Sequence, residues 1–210
     1  MSDIEKILSR KSVVTAAELQ EDGFNRKQIS RLVRSGRLER EIRGVYRDAD
    51  FLGVGFEADL AFAASAWPDA VMGLTAAAYI HELTTAIPRV IAFVPRGVKE
   101  HALDATLIRT RHSERLAAGI ETHRFHGVGV AVTTPARTVV DFLRYADKGS
   151  GMSPCEDLSG EVFGAFLERG GKLTDVAELA RRTGDDTRKF RANLKMAAAL
   201  QEEGAFAPKP

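Results

Sequence analysis

The sequence predicts an α+β protein: an N-terminal winged helix-turn-helix, then a mixed α/β domain with an antiparallel sheet and a C-terminal helical portion. Three observations carry this reading. Three helix-start signals fall within the first 28 residues and run into a short, charged hairpin pattern. Four strand-like runs lie between residues 89 and 134. Beyond residue 134 the apolar residues recur only at helical spacing.

Taken in order, Ser2-Asp3-Ile4-Glu5 reads as a capping box opening a first helix, with Ile4, Ile7 and Leu8 as its buried stripe. Ser12-Val13-Val14 suits a short strand. Thr15-Ala16-Ala17-Glu18 is a second box, and Gly23 ends the helix it opens. Asn25-Arg26-Lys27-Gln28 starts a third helix, and Ser35-Gly36 stops it. Leu38, Ile42 and Val45 then fall among charged residues around a turn at Arg43-Gly44, giving a hairpin over 37–42 and 45–48.

Two glycines and two aspartates between Asp48 and Gly55 mark a junction, so the domains are set at 1–50 and 54–204, with a disordered tail at 205–210. Phe56, Leu60, Ala63, Ala64 and Trp67 form one face of a helix stopped by Pro68, and Thr75 caps a short helix carrying Tyr79, Ile80 and Leu83. Strands follow at 89–95, 106–111, 120–126 and 128–134. Thr134-Pro135 opens a helix with Pro at its first position and Val139, Val140 and Leu143 inside. Residues 146–153 read as a loop. Helices near 154–169, 174–183 and 187–203 complete the chain, the first capped at Ser153 and buried along Leu158, Val162, Phe166 and Leu167. The body is thus expected to fold without the head.

Net charge is +1, but it is unevenly spread. Residues 1–47 hold eleven Lys/Arg against seven Asp/Glu, whereas the remainder holds nineteen against twenty-two. The stretch 26–47 alone has eight against two. A positive head on a near-neutral body points to a polyanionic partner. No apolar run approaches the roughly 18 residues that span a bilayer, so no membrane partner is expected. Cys155 is the only cysteine, which excludes an internal disulfide and suits a reducing, cytoplasmic location.

On the third helix, Ile29, Leu32 and Val33 fall on one side and Lys27, Ser30, Arg31 and Arg34 on the other. Like charges at i, i+4 and i, i+3 cost a helix a few tenths of a kcal/mol per pair. An anion offsets that cost, and the second helix of a helix-turn-helix presents this face to the DNA major groove. The expected DNA-binding residues are Arg26, Lys27, Gln28, Ser30, Arg31 and Arg34 on the helix, with Arg37, Arg40, Arg43 and Arg47 on the hairpin. Gln28, Ser30 or Arg31 reads base edges and the remaining cations hold phosphates. A solvated basic helix, or one used for protein contact, is the alternative.

The segment Asn25-Arg26-Lys27-Gln28-Ile29-Ser30-Arg31-Leu32-Val33-Arg34-Ser35-Gly36-Arg37-Leu38, followed by Arg43-Gly44-Val45-Tyr46, resembles the N-terminal domain of AbiEi-type antitoxins of type IV toxin–antitoxin (abortive infection) systems. Thr133-Thr134-Pro135-Ala136-Arg137-Thr138-Val139-Val140-Asp141 resembles a motif of that family's C-terminal domain. The resemblance implies a transcriptional repressor of its own operon, with operator DNA as one partner. It also implies a C-terminal domain that counters a cognate toxin of nucleotidyltransferase fold, often without a stable complex. A stand-alone repressor with a ligand-sensing body, and a nuclease with a DNA-binding head, are the competing readings.

No catalytic residue, cofactor or metal site is expected. His123 and His126, three apart on a strand, point to opposite faces. Glu100, Asp104, Glu114 and Glu121 lie in the strand-rich stretch without a nuclease's Glu-x-Lys. Gly149-Ser150-Gly151 is followed by Asp157 but by no Asp-x-Asp, as a nucleotidyltransferase requires. Gly53-Val54-Gly55 lacks the third glycine of a dinucleotide fingerprint. Arg137 and Asp141, one helical turn apart, are expected to form a structural ion pair. Arg188, Arg191 and Lys195 make a basic stripe on the last helix, with Phe190, Leu194 and Ala197 inside; the stripe is expected to face solvent or, alternatively, a second nucleic acid.

Overall fold

A computed structural model describes residues 3–51, 53, 55–145 and 154–202. The expected caps at Ser2 and Ser153, the loop at 146–153 and the tail at 205–210 lie outside the described residues.

The head runs α1 (Asp3–Leu8), β1 (Val13–Thr15), α2 (Ala16–Glu21), α3 (Arg26–Arg34), β2 (Leu38–Ile42) and β3 (Val45–Asp48). The two described start signals form complete capping boxes. The Thr15 side chain accepts from the Glu18 backbone and the Glu18 carboxylate accepts from the Thr15 backbone. Asn25 and Gln28 exchange the same pair of bonds at α3. Burial pushes the Glu18 carboxyl up, but its hydrogen bonds to Lys11 and Thr15 outweigh that and leave its pKa below the usual value. The strands form an antiparallel sheet in the order β1-β3-β2, with a bulge in β2 between Arg40 and Ile42. Ile4, Leu8, Val14, Leu19, Ile29 and Leu38 make the head's own core.

The body begins with α4 (Phe56–Ala66), β4 (Val71–Met72) and α5 (Thr75–Ile80), then β5 (Val90–Pro95), β6 (Ala105–Thr110), β7 (Ile120–Phe125) and β8 (Val128–Thr133). It closes with α6 (Pro135–Tyr145), α7 (Pro154–Glu168), α8 (Leu173–Arg182) and α9 (Arg188–Glu202). The five-stranded sheet has the order β6-β5-β4-β8-β7. It is mixed, which corrects the antiparallel expectation: β5 runs parallel to β6 and β4 parallel to β8, while β4–β5 and β7–β8 are antiparallel. The connection from β5 to β6 and the long excursion from β4 to β8 return the chain in the same direction, which tight hairpins cannot do. The central strand β4 escapes pattern reading because it is two residues long.

Thr75 is not a cap. It is the first residue of α5, it follows Leu74 at φ +50°, and its hydroxyl donates to the Arg89 carbonyl. Helix α4 lies under cover on several sides, with Ala58, Leu60, Ala61, Phe62 and Ala63 all buried, so its burial is wider than one stripe.

One apolar cluster crosses the junction near residue 50. Val13, Ile42 and Val45 of the head share it with Leu60, Ala61 and Trp67 of α4 and with Val128, Val130 and Val132 of β8. The β7–β8 turn locks the same boundary. His126 at φ +50° and Gly127 at φ +81° suit a two-residue hairpin turn with both φ values positive. The His126 carbonyl accepts from the Ser12 backbone, and the His126 ring packs edge-on against Phe51 at 4.6 Å. A Cβ on Gly127 would come within 2.3 Å of the Arg10 carbonyl oxygen.

A candidate nucleic-acid interface

Helix α3 is positioned by its inner face. Ile29 is buried, and Leu32 and Val33 pack beside it on Ile4, Leu8, Leu19 and Leu38. This leaves Arg26, Lys27, Gln28, Ser30, Arg31 and Arg34 exposed together on the outer face. The Gln28 amide oxygen is engaged by the Asn25 backbone, so only its NH2 group remains to donate to a ligand. Arg34 Nε donates to the Ser30 carbonyl at 3.4 Å, along the helix surface.

The hairpin cations divide into two kinds. Arg40 and Arg43 are exposed, and neither has an acidic partner among the described residues. Arg37 is half-buried and pairs with Asp48 and, at 3.3 Å, with Asp50. Arg47 pairs with Glu39, lies 3.3 Å from Glu41, and donates to the Phe51 carbonyl. Glu39 stands opposite Arg47 in the strand register. Both arginines therefore tie the hairpin to itself and to the junction, and their charge is compensated within the head. Sequence spacing did not show this, because cross-strand register and the bulge decide which acid meets which base.

Of the eight cations expected to face DNA, six have no acidic partner among the described residues: Arg26, Lys27, Arg31, Arg34, Arg40 and Arg43. Arg31 and Arg34 sit in the last turn of α3, where they complement the helix dipole. Arg26 and Lys27 sit in the first turn, which holds no acid. There the dipole is positive, so two cations are unfavourable unless an anion joins them, and a helix N-terminus is itself a phosphate-binding element.

The body offers other chemistry. The Arg137–Asp141 pair is fully buried, with Arg137 Nε within 3.1–3.2 Å of both carboxylate oxygens. The same guanidinium donates to the Ala118 and Arg115 carbonyls, so it joins α6 to the segment before β7. Of the α9 stripe, Arg191 pairs with Asp186 at 2.7 Å, while Arg188 and Lys195 are exposed. Glu100 pairs with Arg109, and no three of Glu100, Asp104, Glu114 and Glu121 converge. Glu121 does approach His81 and His123. No helix among the described residues is long and apolar enough to cross a membrane.

Residues 2–47 match the family model described as the AbiEi antitoxin transcriptional regulator, which bears out the resemblance read from the sequence over that stretch. No curated protein matches the chain. Among solved structures, the chain is similar to the RV2827C protein from Mycobacterium tuberculosis, at 15% identity and a TM-score of 0.41, over 86% of this chain and 80% of that one.

Proposed function

We propose that the chain is a DNA-binding antitoxin that represses its own operon through a winged helix-turn-helix at residues 1–50 and counters a partner toxin through its body, residues 54–204. The observation that carries the DNA-binding half is the outer face of α3 with the hairpin tip: six cations without acidic partners, two of them at a helix N-terminus. The antitoxin half is supported by the regulator family matched at residues 2–47, beside the sequence resemblance of residues 133–141 to a C-terminal motif of AbiEi-type antitoxins. In this reading the protein acts by binding, without catalysis, in the cytoplasm. Operator DNA is one partner, and a toxin of nucleotidyltransferase fold is the functional counterpart.

Helix α3 lies in the major groove. Arg31 and Ser30 meet base edges, Arg26, Lys27 and Arg34 hold phosphates, and Arg40 and Arg43 carry the wing over the backbone. If all six cations each release one counterion, log affinity falls against log salt with a slope near roughly −5.4, at about 0.9 per phosphate. Electrophoretic shifts of the full chain on its upstream DNA, from 50 to 300 mM salt, measure that slope. A flat response rejects the electrostatic reading.

The two classes of hairpin arginine give a second expectation. Arg40→Ala reduces the slope by about 0.9. Arg47→Ala leaves it nearly unchanged, because the charge removed is already matched by Glu39 and Glu41. Equal slopes for the two variants in the same titration would show that the internal pairing does not govern DNA contact.

A further inference from the structure

We propose that His81, Glu121 and His123 form a binding site for a borderline divalent transition-metal ion such as Zn2+, joining the end of α5 to strand β7. His81 follows the last residue of α5, and Glu121 and His123 alternate on one face of β7. One ligand atom from each lies within 4.8 Å of the others. Glu121 Oε1 is 3.8 Å from His81 Nδ1 and 2.6 Å from His123 Nε2, and the two imidazole centroids are 5.6 Å apart. With metal–ligand bonds of about 2.0–2.1 Å, tetrahedral donors sit about 3.3 Å apart. The two Glu121 separations bracket that value and the third pair lies within 4.8 Å, so the site closes through rotations of the half-exposed Glu121 and His123 side chains.

The tautomer of His81 is what singles this cluster out. Its Nε2 lies 2.7 Å from the Thr133 carbonyl oxygen, which can only accept. Nε2 therefore carries the proton and, in the neutral ring, Nδ1 presents a lone pair toward the Glu121 carboxylate. A lone pair facing a carboxylate is mutually repulsive, and a cation between them reverses the sign. An imidazole whose other nitrogen donates to a backbone carbonyl is also the usual outer support of a metal-binding histidine. His123 at present shares a hydrogen bond with Glu121. On metal binding that bond is replaced: the ring proton moves to Nδ1 and the Nε2 lone pair goes to the metal, with no change in ring charge.

Two imidazoles and one carboxylate suit Zn2+, Co2+ or Ni2+ better than Ca2+ or Mg2+, which prefer all-oxygen ligands. Three protein ligands leave a fourth position open. His123 also lines a cleft of about 380 Å³ with Tyr79, Glu82, Thr84 and Phe125, where water or a small ligand can complete the shell. The sequence hid this site because His81 stands forty residues from Glu121 and belongs to no spaced motif.

Titrating the purified 210-residue chain with Co2+ tests the assignment. The expected result is one equivalent bound, with visible d–d bands of a four-coordinate ion, and displacement by Zn2+. Glu121→Gln and His123→Ala, both at half-exposed positions, weaken binding beyond the roughly 10–100-fold that loss of an outer partner costs. His112→Ala, at an exposed position outside the cluster, leaves it unchanged. Zn2+ also raises the melting temperature of the parent chain and not that of Glu121→Gln. Absence of a stoichiometric Co2+ spectrum overturns the proposal, as does binding that Glu121→Gln and His123→Ala, both shown folded by circular dichroism, leave intact.

Discussion

Replacing Lys27, Arg31 and Arg34 together by alanine is expected to reduce operator affinity by about 500-fold at 0.1 M salt. Three of the six uncompensated cations are lost, which lowers the log–log salt slope by about 2.7. At 0.1 M, one decade below the 1 M reference, that slope difference is about 2.7 decades of affinity. Loss of any Arg31–guanine contact adds about 1–3 kcal/mol of discrimination on operator over random DNA. The fold should be nearly indifferent. All three side chains are exposed, and their removal relieves like-charge pairs worth a few tenths of a kcal/mol each. Salt-dependent shift assays beside a thermal melt separate the two effects. A promoter reporter should lose repression, while the variant expressed from a foreign promoter should still protect cells producing the toxin. If the variant folds and no longer protects, antitoxicity runs through the nucleic-acid face, and the proposed division of labour is wrong. A chain ending near Arg47 separates the two roles less cleanly. It strips Val13, Ile42 and Val45 of the cover that α4 and β8 supply.

The largest stability effect is expected at Arg137. Removing one partner of a buried ion pair leaves the other uncompensated and costs about 3–5 kcal/mol. For a chain of this length that lowers the melting temperature by about 6–20 °C. Arg137→Met also strands the Ala118 and Arg115 carbonyls that its guanidinium serves. The loss depends on pH. Burial pushes the Asp141 carboxyl up to about 7, against the pull of the neighbouring guanidinium. A carboxyl with a raised folded pKa binds its proton more tightly folded than unfolded. Its contribution is therefore most favourable below its unfolded pKa and declines as pH rises through the folded value. Without Arg137 the folded pKa rises further, so Arg137→Met should be more damaging at pH 8 than at pH 5.5, where Asp141 can be buried neutral. Melts of the variant and the parent at the two pH values test this. A melting temperature within about 2 °C of the parent at pH 8 would mean that the pair does not hold the α6 junction.

The sequence by itself determined the helices of the head, their described caps, the Arg43-Gly44 turn and the cationic outer face of α3. These depend on contacts within three or four residues, where side-chain chemistry and helical period act directly. It also determined that Arg137 and Asp141, one turn apart, would meet. Only the tertiary structure decided which cations remain uncompensated. Arg37 and Arg47 have the same composition signal as Arg40 and Arg43, yet strand register and a bulge deliver acids to the first two alone. Tertiary structure also decided that the sheet is mixed, because a two-residue strand at its centre carries no period of its own. It joined head to body through a shared core that a glycine-rich junction conceals. It brought His81 to Glu121 and His123 as well. Such long-range placements are set by which apolar faces bury one another, and no local spacing encodes them.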